Sequence, residues 1–207
     1  MEIKLLEKGA STEVKQQYGS INKDTITRWI ISKKIVKKGS IIKSFEDLSD
    51  WTRTGGESYC STFKILYSNK KEEEHQKVIN IKAIISIPVE QCLGNWERRR
   101  KILLEKQIPV SHWYFVGKGI IIEDFYPKKV AEVNDLAPLF NIAETLDNLG
   151  FRNPKFTRDI LCDTEGNPFY VDFGFDLGEP SNIITEIAKD HILKLVKDKF
   201  FKTQKNG

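Results

Sequence analysis

The chain has 207 residues, of which 40% are hydrophobic and 30% charged, a composition typical of globular proteins. This length allows one domain with a substantial core or two small lobes, and no apolar run approaches the roughly 18–20 residues that span a bilayer. We therefore expect no membrane span, and the scattered charges of the first residues favour no secretory signal. Three widely spaced cysteines, Cys60, Cys92 and Cys162, show no metal-ligand spacing, and their odd number disfavours a disulfide framework. A cytoplasmic location is the resulting expectation.

The net charge of +4 permits anionic ligands without selecting one. Basic residues cluster at 32–38, at 97–101 and in the C-terminal tail. A solvated surface is the simpler interpretation of each cluster, and a nucleic-acid-binding surface is the alternative.

The first elements in chain order are uncertain. Residues 24–38 have the spacing of a helix closed by Gly39, although their β-branched content also permits a strand. Ser44 or Asp47 would cap a short helix. From Trp51 onward, two extended runs flank the pair Gly55–Gly56, and a charged hairpin loop leads into a β-branched strand over 78–87.

The later elements are clearer. We predict a helix over 90–107, then two strands joined through Gly117 and Gly119, a helix over 135–150, a hairpin over 158–174 and an amphipathic helix over 182–201. This order indicates an α+β fold. The expected division is a sheet-rich lobe with an N-terminal extension over 1–126, and a reduced helical lobe over 127–207.

Several polar residues lie where they are costly to bury. Lys82 interrupts the apolar run "INIKAII", so it lies either on a solvent-facing side of the strand or in a cleft. Glu97 lies on the next helix and could pair with Lys82. Asp159 and Asp172 lie at the two ends of the 158–174 hairpin, which would bring both carboxylates to one metal ion.

Taken in order, "TRTGGESYCSTFKI", "INIKAII", "NWERRRKIL", "IPVSHWYFVGKGIIIEDF" and "LDNLGFRNPKFTRDILCDTEGNPFYVDFG" resemble the protein-kinase-like fold. The similarity, over about 51–178, is to small phosphotransferases of the aminoglycoside phosphotransferase type. It implies a two-lobed fold with an antiparallel-sheet N-terminal lobe. It also implies ATP and Mg²⁺ as cofactors, and a protein or small-molecule hydroxyl as the phosphate acceptor.

The resemblance assigns a role to each candidate residue. Lys82 would hold the non-terminal phosphates and take part in catalysis, while Glu97 would hold Lys82. Asp159 and Asp172 would bind magnesium. Backbone groups would supply the remaining nucleotide contacts. Those of Gly55, Gly56 and Ser58 would cover the phosphates, and those from Glu123 to Phe125 would contact the adenine.

The chain departs from the family pattern at the catalytic base. The register set by "DFG" places Pro154 where the family has an aspartate, and residues 151–158 contain no Asp, Glu or His. Asp159 would then bind metal and also accept the substrate proton. Three functions remain: an atypical ATP- and Mg²⁺-dependent phosphotransferase, a pseudokinase that binds without transfer, and a basic nucleic-acid-binding protein. The last is the least favoured, so nucleic acid is not an expected partner.

Overall fold

The computed structural model describes residues 23–48, 52–54, 58–85, 88–151, 156–173 and 188–205. Helices and antiparallel strands follow one another as an α+β fold, which confirms the predicted class. The helices are α1 (Lys23–Ser32), α2 (Val89–Glu105), α3 (Ala137–Asn148), α4 (Phe156–Asp159) and α5 (Ala188–Lys205), with a 3-10 turn at Val130–Glu132. The strands are β1 (Ile41–Asp47), β2 (Thr52–Thr54), β3 (Ser58–Ser68), β4 (Glu74–Ile84), β5 (Trp113–Gly117), β6 (Ile120–Asp124), β7 (Lys128–Lys129), β8 (Ile160–Cys162) and β9 (Pro168–Tyr170).

The chain divides into two units, residues 1–94 with 112–125, and residues 95–111 with 126–207. The second unit thus joins residues 95–111 to the C-terminal residues. Within the parts of the chain that the structure describes, no helix combines the length and the apolar character needed to cross a membrane.

The first unit is built on a six-stranded antiparallel sheet in the order β1-β3-β4-β6-β5, with β2 also pairing with β3. Its longest pairing is the β3–β4 hairpin, in register from Ser58 opposite Ile84 to Ser68 opposite Glu74. Asn69 closes this hairpin, because its Oδ1 accepts hydrogen bonds from the backbone N–H groups of Lys71 at 2.8 Å and Glu73 at 3.1 Å.

One face of this sheet forms the core of the first unit. Residues two apart on a strand point to the same side, and the buried side chains follow that spacing. They are Phe63, Ile65, Ile79, Ile81, Ala83, Ile120 and Ile122, packed with Ile26 and Ile30 of α1. Trp29 of α1 also stacks on Phe115 of β5, with ring centroids 4.5 Å apart. Lys82, one position out of phase with its strand neighbours, therefore projects from the opposite face.

Two predictions for the N-terminal region were wrong. The helix predicted to continue to Lys38 ends at Ser32, because Lys34 adopts a left-handed φ of 59°. The N–H groups of Lys34 and Ile35 then donate to the carbonyls of Ile31 and Ile30, which is a Schellman motif.

The second wrong prediction was the short helix expected after Ser44 or Asp47. These residues lie in β1, which pairs with the outer side of β3. The Asp47 side chain accepts a 2.6 Å hydrogen bond from the hydroxyl of Ser61 on β3.

The second unit combines helices with a small sheet in the order β7-β8-β9. The α3 helix, which lies within the predicted helix over 135–150, buries a stripe of Leu139, Ile142, Ala143 and Leu146. Asp147 of α3 accepts hydrogen bonds from the N–H groups of Ala188, at 2.7 Å, and Lys189, at 3.2 Å. A side chain of one helix thus caps the start of another.

Candidate functional site

Lys82 lies in the middle of the sheet of the first unit. Its strand, β4, is flanked by β3 and β6, which place Cys60 and Ile121 opposite it. The residue is only 6% exposed, so this ammonium group is not on a solvated surface of the sheet. Of the two placements that the sequence left open, a solvent-facing side of the strand and a cleft, the burial of Lys82 excludes the first.

Glu123 is the carboxylate partner of Lys82 within the first unit. Its Oε1 lies 2.9 Å from the Lys82 Nζ, and the residue is 1% exposed. The other carboxylate oxygen, Oε2, accepts a 3.2 Å hydrogen bond from the indole N–H of Trp113 on β5. Three neighbouring strands therefore contribute one side chain each to a buried ionic cluster of Lys82, Glu123 and Trp113.

The position of Glu123 in this cluster differs from the role that was predicted for it. Glu123 was expected to offer its backbone to adenine, but its residue lies inside the sheet, opposite Asn80 on one side and Trp113 on the other. The ladder hydrogen bonds of an interior strand occupy such backbone groups, so this placement does not support an adenine contact. Phe125 follows the strand and is 36% exposed. Glu97 is exposed on α2, and its pairing with Lys82 stays a prediction.

The predicted phosphate loop is described only at its end. Ser58 is buried at the start of β3, where it pairs with Thr54 of β2 and Ile84 of β4. Gly55 and Gly56 lie outside the described residues, as does Pro154. Their predicted roles stay predictions.

Asp159 and Asp172 of the second unit meet at the base of the β8–β9 hairpin. The carbonyl oxygen of Asp159 accepts hydrogen bonds from the N–H groups of Val171, at 2.9 Å, and Asp172, at 3.3 Å. The hairpin thus brings the backbones of the two acidic residues together, while the convergence of their carboxylates on one metal ion stays a prediction. Asp159 is 4% exposed and Asp172 is half-buried.

The surroundings of this acidic pair are packed and hydrogen-bonded. Tyr170 of β9 exchanges backbone hydrogen bonds with the segment before β5, because its N–H donates to Pro109 at 2.8 Å and its carbonyl accepts from Ser111 at 2.9 Å. Phe173, next to Asp172, is buried and its ring lies 6.2 Å from that of Tyr170 and 6.4 Å from that of Trp96. Such packing restricts the backbone that carries Asp172.

Two carboxylates are a suitable donor set for magnesium. Mg²⁺ takes hard oxygen ligands and is commonly bound through one or two protein carboxylates, with phosphate and water oxygens completing the octahedron. Among the described residues, no group of three or more His, Cys, Asp or Glu side chains is placed to hold a metal ion. Binding of Mg²⁺ by Asp159 and Asp172 therefore stays a prediction.

The sequence analysis missed the side-chain role of Glu123 and the hydrogen bond of Trp113. A signal for Glu123 was present, because this glutamate interrupts the apolar run "IIIEDF" just as Lys82 interrupts "INIKAII". Two opposite charges in apolar strands suggest a pair. Trp113 gave no such signal, because its register opposite Glu123 depends on the irregular β5–β6 pairing near Tyr114.

No protein-family model matches the chain, and a search of curated proteins also found no match.

Proposed function

We propose that this protein is an atypical phosphotransferase of the protein-kinase-like fold, which uses ATP and Mg²⁺ to phosphorylate a hydroxyl of a protein or small molecule. The observation that supports this most directly is the adjacency of Asp159 and Asp172, which are linked through the Asp159 carbonyl. Phosphoryl transfer depends on positioning and on neutralising charge, and a magnesium ion held by carboxylates supplies both.

Each unit has its own part in the proposal. In the second unit, Asp159 and Asp172 would hold Mg²⁺. In the first unit, the Lys82 ammonium would bind non-terminal phosphates, with backbone groups of Gly55, Gly56 and Ser58 close to the same phosphates. Phe125 would offer backbone to adenine.

Removal of the acceptor proton is the weak step of this proposal. Pro154, at the position expected for the base, has no carboxylate. Asp159 would have to accept the proton while also binding the metal, and one carboxylate seldom performs both tasks well. We therefore expect slow transfer.

The same substitution favours a second candidate function, a nucleotide-binding module that does not transfer phosphate. The two candidates share the nucleotide site and differ only in turnover. Release of ADP that depends on Lys82 and Asp159, measured with a coupled assay, would establish the enzyme. Magnesium-dependent binding with no ADP release above a K82A background would establish the module.

The first test is a thermal-shift titration with ATP, with and without Mg²⁺, on the wild type and on D172A. A ligand that binds only the folded state, at a hundredfold excess over its Kd, adds about 2.7 kcal/mol to the free energy of unfolding. We expect a magnesium-dependent shift in the wild type that is lost in D172A. The matched control is D198A, which removes an exposed acid from α5 of the same unit and should keep the shift. No shift in the wild type at millimolar ATP would overturn the proposal.

A further inference from the structure

The proposed function leaves the carboxylate of Glu123 without a role. This group is among the most buried charged groups in the described part of the chain, at 1% exposure, and it contacts both Lys82 and Trp113. Desolvating two opposite charges costs free energy that their attraction often fails to repay, so well-packed apolar residues frequently stabilise such a site as well or better. Stability alone is thus a weak reason for this pair.

We infer that Glu123 is the positioning residue that holds the Lys82 ammonium group in place for a phosphate-bearing ligand, and that Trp113 in turn orients Glu123. This inference rests on the proposed function. It replaces the role predicted for an exposed helical residue, Glu97, with a carboxylate supplied by the sheet itself.

The sheet fixes the geometry of this arrangement. Lys82 lies opposite Ile121 on β6, so Glu123 is its diagonal neighbour on the same face, a position within reach of long side chains. The Glu123 carboxylate bridges two donors, with one oxygen toward Lys82 at 2.9 Å and the other toward Trp113 at 3.2 Å. One carboxylate oxygen is therefore held by a hydrogen bond and the other forms an ion pair with Lys82, and the register of β4, β6 and β5 sets the position of these groups.

A second lysine–glutamate pair on the same sheet provides the contrast. Lys64 of β3 and Glu46 of β1 lie 3.3 Å apart, with side chains 31% and 56% exposed. An exposed pair of this kind contributes little to stability and does not hold either side chain firmly in one position. Glu46 is therefore the matched control for Glu123, because the same substitution is made on the same sheet.

The test compares the binding of ATP–Mg²⁺ and of adenosine by isothermal calorimetry, well below the unfolding temperature. The variants are E123Q, E123D, W113F and E46Q. A positioning role for the lysine acts only on the phosphates. We expect E123Q to weaken ATP binding by at least about tenfold, equivalent to about 1.4 kcal/mol, while adenosine binding stays unchanged. E123D keeps the charge and should recover part of the ATP affinity. W113F should lose less ATP affinity than E123Q. E46Q should bind ATP as tightly as the wild type does.

The outcomes separate the two proposals. If the wild type binds ATP and E123Q binds it equally well, the positioning role is overturned and the proposed function stands. If E123Q weakens ATP and adenosine alike, Glu123 is structural and the inference is overturned. If the wild type binds neither ligand, the proposed function fails and the inference fails with it. Should E123Q not fold, the ATP-to-adenosine ratio of W113F decides, because this variant removes the indole N–H that contacts Glu123 but leaves both buried charges in place.

Discussion

At the scale of single residues, the structure shows how one carboxylate can control the protonation of its neighbours. Asp124, at the end of β6, accepts hydrogen bonds of 2.6 Å from both the Lys77 ammonium and the Tyr114 hydroxyl. Burial by itself lowers the pKa of Lys77, but the hydrogen bonds to Asp124 and Tyr114 outweigh it, and the pKa is raised. The pKa of Tyr114 is raised as well, first by burial and then by the hydrogen bond to Asp124.

These shifts predict a loss of stability at alkaline pH. A raised pKa means that the folded protein holds these protons more tightly than the unfolded chain does. The resulting contribution to the free energy of unfolding is complete below the pKa values of the unfolded chain, 10.0 for Tyr and 10.5 for Lys. It disappears as the pH rises through the folded values. Urea unfolding from neutral to alkaline pH should therefore show a falling free energy of unfolding above about pH 10. D124N should cost about 1–3 kcal/mol at neutral pH and show a shallower alkaline decline. An equally steep decline in D124N would contradict this explanation.

Asp163 gives the opposite dependence on pH. Its Oδ1 accepts the N–H groups of Glu165, Gly166 and Asn167 at 2.8–2.9 Å in the turn of the β8–β9 hairpin. Burial, the largest single effect, opposes ionisation, but these hydrogen bonds and that of the Asn167 side chain together outweigh it and lower the pKa of Asp163 below 3.8. The ionised Asp163 therefore stabilises the fold at a pH above the pKa of the unfolded chain, and this stabilisation is lost as the pH falls through the lower pKa of the folded state.

We therefore expect D163A to cost about 1 kcal/mol at neutral pH, a modest value because the group is largely exposed. The difference between wild type and D163A should shrink toward pH 3 in urea titrations. E165A, in the same turn, serves as the control and should change stability by less than about 0.5 kcal/mol. A constant difference across the acid range would show that the ionised form has no special part in the turn.

At the scale of elements, Asp147 connects two helices that are distant in sequence. It lies near the end of α3, and its carboxylate caps the first two N–H groups of α5. A negative charge at a helix start satisfies N–H donors and interacts favourably with the helix dipole.

Replacing Asp147 by alanine should therefore cost about 1–2 kcal/mol and loosen the start of α5. Hydrogen exchange of a peptide beginning at Ala188 would show this as faster exchange. Glu144→Ala is the matched control, because it removes the partly exposed 3.0 Å ion pair with Lys189 from the same two helices. Such a pair contributes between about 0 and 1 kcal/mol. Equal effects of the two substitutions would show that the cap has no particular importance.

The sequence predicted most of these elements but could not predict their ends or partners. The α3 helix and the β8–β9 hairpin were foreseen, because local spacing and turn residues determine them. The end of α1 was not, since Lys34 takes a left-handed conformation that its residue type disfavours. β1 was mistaken for a helix start, because its strand conformation depends on pairing with β3, which local composition does not encode.

At the scale of the whole molecule, the proposed function assigns nucleotide-binding residues to both units. Hydrogen exchange with and without ATP–Mg²⁺ tests this directly. We expect slower exchange in peptides covering β3 and β4 and also in peptides covering 156–173. In D172A the protection over 156–173 should be lost. Protection confined to one unit of the wild type would remove the candidate residues of the other unit from the nucleotide site.

The candidate site was predictable from the sequence only in part, because some of its contacts are local in the chain and others depend on strand pairing. Asp159 and Asp172 could be brought together from the sequence, because a short hairpin joins them. The pairing of Lys82 with Glu123 requires the register between β4 and β6, which are separated along the chain by α2 and β5. Contacts of this kind depend on which strands become neighbours in the sheet.

The buried pair of Lys82 and Glu123 also limits how this sequence can diverge. Removing either partner alone leaves an uncompensated buried charge, at a cost of about 3–5 kcal/mol, whereas replacing both with apolar residues is often neutral or stabilising. The two positions are therefore epistatic: the fold tolerates the paired charges or a paired apolar replacement, but neither single intermediate easily. A lineage that lost the ligand would be free to make the double replacement and would have little reason to reverse it. Apolar residues at both positions of a related sequence would thus mark a lineage that no longer depends on the ligand.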